Sequence, residues 1–221
     1  MVWKYILFDL DGTLTDSSEG IINCVIYALE AAGNAIPDRK TLLRFIGPPL
    51  VEGFQEIIGM SHEEAVQATA KYRERYGVIG LFENKLYEGI ASVLSELKSH
   101  GKILALATSK RETYANRIVQ HFHLLQYFDV IVGSTMDGAR DHKKEVIEEA
   151  VHRLQLTEQD KKDIIMVGDR RQDMEGARAC GISSLGVYYG FAEPGELEAA
   201  GADYIVRKVD ELMNILGDKM V

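Results

Sequence analysis

The sequence contains few cysteines, which argues against two classes of protein. Only Cys24 and Cys180 are present among 221 residues. Both lie in helix-like stretches far apart in the chain, so they match neither a disulfide framework nor a zinc-binding spacing. We therefore expect two buried, reduced thiols.

Long apolar runs and an excess of positive charge are also missing. No stretch is long enough to span a membrane, and the opening apolar run is too short for a signal peptide, so we expect a cytoplasmic protein. The net charge of −9 argues against nucleic acid or an anionic membrane as the main partner. A small phosphorylated metabolite stays possible, because lysine, arginine or a metal can reverse the field inside one cleft.

Short apolar runs that end in polar residues or glycine predict the strands. Most of them are nearly continuous rather than alternating, as in strands that are buried on both faces of a parallel sheet. The predicted strands are 4–9, 102–109, 128–134, 163–169, 183–190 and 202–206. The predicted helices are 87–100, 110–123, 142–154, 171–180, 193–200 and 208–217. This alternation predicts an α/β fold with a doubly wound parallel sheet.

One interval interrupts the alternation. Residues 15–82 contain helical patterns and no convincing strand, and the interval is too long for one crossover. We expect a helical domain inserted after the first strand, with residues 1–14 and 83–221 forming the α/β core domain.

Polar side chains gather at the ends of the predicted strands, where ligands bind in such folds. Asp9 and Asp11 end the first run, and Asp169 ends the fourth, with Asp173 four residues later. Thr108, Ser109 and Lys110 end the second run. Lys143 and Lys144 open the helix after the third run.

Carboxylates crowded at one edge repel each other unless a cation holds them, and oxygen ligands of this kind suit Mg²⁺. Asp9 and Asp11 alternate onto the same side of an extended chain, so one can attack phosphorus while the other transfers a proton. Gly12 then permits a tight turn and a close approach of the backbone to phosphate. The apolar stripe of its helix directs Lys143 over the sheet edge and Lys144 to the side.

Four motifs resemble those of the haloacid dehalogenase-like superfamily of phosphohydrolases. "DLDGTLTD" (9–16) is similar to its first motif, DxDGTxxD, and "ATS" (107–109) to the second. Lys143 stands at the place of the third motif, and "GDRRQD" (168–173) is similar to the fourth, GDxxxD. The motifs appear in the family's order, and the resemblance covers nearly the whole chain.

The resemblance implies a role for each of these residues. Asp9 would be the nucleophile and Asp11 the general acid/base. Asp9, the backbone carbonyl of Asp11 and Asp169 would bind Mg²⁺, with Asp173 as a further ligand, directly or through water. The residues expected to contact phosphate or substrate are Gly12, Thr13, Thr108, Ser109 and Lys143.

The resemblance also implies a helical cap over residues 15–82, in which Arg44 is a candidate substrate contact. The segments 47–50 and 186–206 are similar to phosphoglycolate phosphatases and bacterial 5′-nucleotidases, and Gly-Asp-Arg at 168–170 favours the nucleotidase branch. We therefore expect a phosphatase that hydrolyses a small phosphomonoester, as a monomer or homodimer. A phosphomutase of the β-phosphoglucomutase type and a catalytically silent phosphate-binding protein are the alternatives.

Overall fold

The computed structural model describes residues 3–135 and 140–217, and the chain forms two compact units. The α/β unit combines Met1–Thr15 with Leu86–Val221, and the helical unit is Asp16–Lys85. The assignment of residues 15–82 as a cap domain stays a prediction.

The strands of the described residues are short, and all except the two-residue β2 and β3, which the sequence did not predict, lie close to the predicted runs. They are β1 (Tyr5–Phe8), β2 (Thr15–Asp16), β3 (Lys85–Leu86), β4 (Ile103–Arg111), β5 (Val130–Ser134), β6 (Ile164–Gly168), β7 (Ser183–Val187) and β8 (Tyr204–Val206). Six of them form one sheet in the order β5-β4-β1-β6-β7-β8. All pairs in this sheet are parallel, so the predicted α/β fold is confirmed.

Helices connect the strands of the α/β unit and make up most of the helical unit. The helical unit contains α1 (Ser18–Ala31), α2 (Arg39–Leu43), α3 (Leu50–Gly53) and α4 (His62–Arg75). The α/β unit contains α5 (Ile90–Ser99), α6 (Glu112–His121), α7 (Lys143–Arg153), α8 (Arg171–Cys180), α9 (Glu196–Ala200) and α10 (Leu212–Leu216). Across the two described ranges, the helices lack the combination of length and apolar character needed to cross a bilayer.

Each unit has local features that its sequence explains. All four residues of β1 are buried, as expected for a central strand covered on both faces. Leu7 and Met166 of the sheet pack against Val146 of α7 and Ala177 of α8 in one apolar cluster. In the helical unit, Ser61 caps α4 in a capping box with its third residue. Both cysteines are buried thiols, as predicted.

Three predicted boundaries near the candidate site residues are wrong. β4 continues through Thr108 to Arg111, so α6 begins at Glu112 rather than at residue 110. The register between β4 and β5 shifts between Ala107 and Arg111, and this irregularity lets the strand continue beyond the predicted end. β7 ends at Val187 rather than at residue 190, because the following loop turns toward the carboxylates described below.

Candidate active site

The order of the strands brings the candidate residues together. The chain runs from β1 to β4 and β5 on one side of the sheet and then to β6, β7 and β8 on the other. The switch point therefore lies at β1, whose two neighbours are β4 and β6. Asp9 follows β1 directly, and its N–H donates to the carbonyl of Val167 in β6 at 2.9 Å.

Three carboxylates converge at this switch point. Asp9, Asp169 and Asp173 each place an oxygen within 4.8 Å of the others. All three side chains are buried, with Asp169 0% exposed and Asp173 1% exposed. Buried oxygens of three acids at this spacing form a group that could hold a metal ion.

Lys143 partly compensates the negative charge of this carboxylate cluster. Its ammonium lies 2.9 Å from an oxygen of Asp9 and 2.7 Å from an oxygen of Asp173. It also donates a hydrogen bond to the carbonyl of Ala107 at 3.0 Å. Lys144, the next residue, is exposed and lies 3.5 Å from Glu148. The first turn of α7 thus directs one lysine into the cluster and the other to solvent.

The pKa values in the cluster report its electrostatic balance. Burial by itself lowers the pKa of Lys143, but the charges of Asp173 and Asp9 outweigh burial and raise it. Burial and the charges of Asp173 and Asp9 raise the pKa of Asp169 well above its ordinary value. Burial is also the main cause that raises the pKa of Asp173 to about 6, against the opposing effect of Lys143. The negative charge of the carboxylates therefore exceeds the positive charge of Lys143, and a bound cation would compensate the excess.

Hydrogen bonds from two directions hold Asp169. The Thr13 hydroxyl donates to one oxygen at 3.3 Å, and the Phe191 N–H donates to the other at 2.8 Å. Gly12 adopts a φ of +81°, and a Cβ there would lie 2.0 Å from an oxygen of Asp169. The turn after β1 therefore requires glycine for its conformation and for the close approach of Asp169.

Asp11 has a different partner from the other acids. Its Oδ2 lies 2.9 Å from the ammonium of Lys110, the residue that follows Ser109 in β4. The side chains of Lys110 and Asp11 are only 7% and 17% exposed. The sequence placed Lys110 at the end of a run without giving it a function. The expected convergence of β1 and β4 was the signal that could have paired it with Asp11.

The remaining predicted site residues lie in different settings. Thr108 is buried, and its hydroxyl oxygen accepts a hydrogen bond from the Lys110 N–H at 3.2 Å. Ser109 is partly buried in β4. Arg44 belongs to the helical unit, where it is exposed at the C-terminal end of α2, and its contact with substrate stays a prediction.

The loop after β7 contributes contacts that the sequence did not predict. The Tyr189 hydroxyl donates to the backbone carbonyl of Thr13 at 3.0 Å, and its ring packs edge-on against Tyr87. A Cβ on Gly190 would lie 2.2 Å from the carbonyl of Gly12. The loop from 188 to 191 therefore supports the turn after β1. Its position at a strand end was the signal available, although a backbone N–H donor leaves no mark in a sequence.

Comparison with known proteins gives consistent results. A family described as haloacid dehalogenase-like hydrolase matches residues 6–187. A 5′-nucleotidase from Pseudomonas aeruginosa is 43% identical over 88% of this chain and 86% of its own length. The tyrosine-protein kinase PtkA of Mycobacterium tuberculosis is 38% identical over 97% of this chain and 72% of its own length.

A solved structure agrees with these relatives. The crystal structure of a predicted phosphatase from Clostridium acetobutylicum matches with a TM-score of 0.91 and 44% identity, over 97% of this chain and 98% of that one. The resemblance inferred from the four sequence motifs is confirmed, and so is the predicted class of enzyme.

Proposed function

Since the chain belongs to the haloacid dehalogenase-like hydrolases, we propose that it is a Mg²⁺-dependent phosphatase acting on a small phosphomonoester. The reaction proceeds through a phosphoryl group carried on Asp9. One observation supports this proposal most strongly. Asp9 lies in a buried carboxylate cluster with Asp169 and Asp173, beside the ammonium of Lys143.

The chemistry of the donor set fits a hard divalent cation. Asp9, Asp169 and Asp173 would hold Mg²⁺, because their carboxylate oxygens are the ligands it prefers and their excess negative charge needs compensation. When bound, Mg²⁺ supplies positive charge that stabilises the phosphoryl group during transfer.

In the first half of the reaction, an oxygen of Asp9 attacks phosphorus and the bond to the leaving oxygen breaks. Asp11 gives its proton to that oxygen, so the alcohol departs neutral. Lys143 and the Thr108 hydroxyl bind the phosphoryl oxygens, with Ser109 and the turn at Gly12 and Thr13 as further contacts.

In the second half, a water molecule attacks the phosphorus of phospho-Asp9. Asp11, now a carboxylate, takes the proton from this water, and the bond between phosphorus and Asp9 breaks. Inorganic phosphate leaves, Asp9 is again a carboxylate, and Asp11 is again protonated. The net reaction consumes one water and releases one alcohol and one phosphate.

We favour a nucleoside 5′-monophosphate as the substrate, with phosphoglycolate as the second candidate. The support is the relative from P. aeruginosa described as a 5′-nucleotidase and the Gly-Asp-Arg of the fourth motif. The assignment of residues 15–82 as a substrate-selecting helical cap with Arg44 as a contact belongs to the same proposal and is based on the sequence. We expect such an enzyme in the cytoplasm, as a monomer or homodimer.

The test is phosphate release by the purified protein from nucleoside monophosphates, phosphoglycolate, sugar phosphates, pyrophosphate and 4-nitrophenyl phosphate. We expect release that requires Mg²⁺, is lost in EDTA and is abolished by Asp9→Asn. Absence of release from every compound would contradict the proposal.

Three further assays distinguish the alternatives. Conversion of one sugar phosphate isomer into another without free phosphate would indicate a phosphomutase. Tight binding without turnover would indicate a phosphate-binding protein. Transfer of phosphate from ATP to a tyrosine, the activity in the name of the mycobacterial relative, would indicate a kinase.

A further inference from the structure

We propose that Lys110 is a positioning residue for Asp11, fixing one carboxylate oxygen so that the other faces the reaction. This inference depends on the proposed function, since Asp11 has a proton to transfer only if the site acts on a phosphate ester. It assigns a task to a lysine that the four motifs do not include.

The contact itself is direct and protected from solvent. The ammonium of Lys110 lies 2.9 Å from Oδ2 of Asp11, and the two side chains are 7% and 17% exposed. An ion pair with so little solvent access holds its geometry better than a surface pair, whose side chains move freely.

The two oxygens of Asp11 differ in their surroundings. Oδ2 faces Lys110, whereas Oδ1 is buried and accepts no hydrogen bond from the residues in 3–135 and 140–217. A buried carboxylate oxygen without a donor is uncommon, because its lost hydration is usually replaced. We therefore assign proton transfer to Oδ1, with the leaving oxygen or the attacking water as its partner.

The backbone of β4 explains how Lys110 comes to this place. Thr108 and Lys110 both belong to β4, two residues apart. The hydrogen bond from the Lys110 N–H to the Thr108 hydroxyl oxygen ties the two residues together at 3.2 Å. The shift of register between β4 and β5 lies in this stretch. Extension of β4 beyond Thr108 therefore delivers a cation to Asp11.

The positioning matters in both halves of the reaction. In the first half, the proton on Oδ1 passes to the leaving oxygen as the bond from phosphorus to that oxygen breaks. In the second half, Oδ1 takes a proton from the water as the bond from phosphorus to Asp9 breaks. Proton transfer of this kind depends on a well-oriented donor and acceptor and contributes about 10²–10⁴-fold to rate.

A lysine that acts through Asp11 has a kinetic signature that a phosphate-binding lysine lacks. Phenyl phosphate needs its leaving oxygen protonated far more than 4-nitrophenyl phosphate does, since nitrophenolate is a stable anion. Loss of positioning should therefore slow the hydrolysis of phenyl phosphate more than the hydrolysis of 4-nitrophenyl phosphate. Loss of a phosphate contact should slow both substrates equally and weaken inhibition by inorganic phosphate.

The experiment compares Lys110→Met with wild type on these two substrates in the full chain with Mg²⁺. We expect kcat/KM for phenyl phosphate to fall about tenfold further than kcat/KM for 4-nitrophenyl phosphate. With 4-nitrophenyl phosphate the variant should also show a burst of nitrophenol and accumulate a hydroxylamine-sensitive phosphoenzyme. Lys110→Arg, which keeps a cation, should recover part of the difference.

The matched control is Lys98→Met, which removes another lysine of the α/β unit from an ion pair, here with Asp129 at 2.8 Å. It should leave the ratio of the two kcat/KM values at the wild-type value. If Lys110→Met does not fold, the comparison is made with Lys110→Gln and Lys110→Arg. Equal losses on both substrates, without a burst, would overturn the positioning role. Failure of the wild-type protein to hydrolyse either ester would instead overturn the proposed function.

Discussion

The ammonium of Lys143 lies 2.7 Å from a carboxylate oxygen of Asp173, and both side chains are almost completely buried. Ion pairs at such depth are costly to assemble, and they are more costly to break when one partner is removed. Lys143 therefore stabilises the fold around the site in addition to any contact that it makes with phosphate.

Replacement of Lys143 should destabilise the protein strongly. Lys143→Met leaves Asp9 and Asp173 without their nearest cation, so we expect a loss of about 3 kcal/mol in the free energy of unfolding without metal. Lys144→Met is the matched control. Because Lys144 is exposed, we expect a change within about 0.5 kcal/mol. Urea unfolding in EDTA measures both, and equal losses in the two variants would contradict the account.

Charge at Asp169 should make metal-free stability depend on pH in a definite direction. The folded state raises the pKa of Asp169 well above its ordinary value, mainly through burial. The folded state therefore binds more protons than the unfolded chain, and stability is lost as pH rises above the unfolded pKa of about 3.9. Asp169→Asn removes this loss, so its stability relative to wild type should increase from acidic to neutral pH.

Thermal unfolding in EDTA across this pH range measures the Asp169 effect, with exposed Asp141→Asn as the control. Mg²⁺ should then raise the melting temperature of wild type more than that of Asp169→Asn. A ligand that binds only the folded state stabilises that state, and the variant lacks one of the carboxylates proposed to bind Mg²⁺. A pH-independent difference between wild type and Asp169→Asn would contradict the raised pKa of Asp169. An equal Mg²⁺ effect in both proteins would contradict a metal site at Asp169.

Gly12 should tolerate no side chain, because of its positive φ and its close contact with Asp169. Gly181, which shares only the positive φ, separates the two effects. Gly12→Ala meets the unfavourable φ of +81° and a clash at 2.0 Å with Asp169. Gly181 has a similar φ of +70°, but a Cβ there would meet no atom within 4 Å. Both variants should lose about 1–2 kcal/mol of stability from backbone strain. Only Gly12→Ala should also lose the Mg²⁺-induced rise in melting temperature, and retention of this rise would contradict the close contact.

The hydroxyl of Tyr189 should contribute to the stability of the protein and to its Mg²⁺ response. Tyr189→Phe removes the donor to the Thr13 carbonyl, so we expect a loss of about 1–2 kcal/mol in stability and a weaker Mg²⁺ response. Tyr188→Phe is the control, since the Tyr188 hydroxyl bonds to Glu198 and Gly195 and not to the turn after β1. Differential scanning calorimetry with and without Mg²⁺ compares them. If Tyr189→Phe kept the wild-type stability and Mg²⁺ response, the loop would not support the turn after β1.

The sequence predicted the parts of this molecule that depend on local pattern. Continuous apolar runs ending in Asp9 and Asp169 predicted two strands of a parallel sheet, since such runs suit strands that are buried on both faces. The periodicity of α7 also placed Lys143, rather than Lys144, on the inner face, where the structure has it.

What the sequence could not predict depends on contacts between distant segments. The ion pair of Lys110 with Asp11 depends on the strand order and on the irregular register of β4. The hydrogen bond from the Phe191 N–H to Asp169 uses a backbone atom that every residue other than proline carries. The contact of Tyr189 with Thr13 likewise joins residues that are 176 positions apart.

The most direct test of the proposed mechanism is to trap the phosphorylated residue. Asp11→Asn is mixed with 4-nitrophenyl phosphate and Mg²⁺, because loss of the base should slow attack by water more than formation of the phosphoenzyme. Hydroxylamine and peptide mass spectrometry then identify the modified side chain. We predict a hydroxamate at Asp9 in this variant and none when Asp9→Asn is added. A modified residue other than Asp9, or nitrophenol release without any modified residue, would contradict the account.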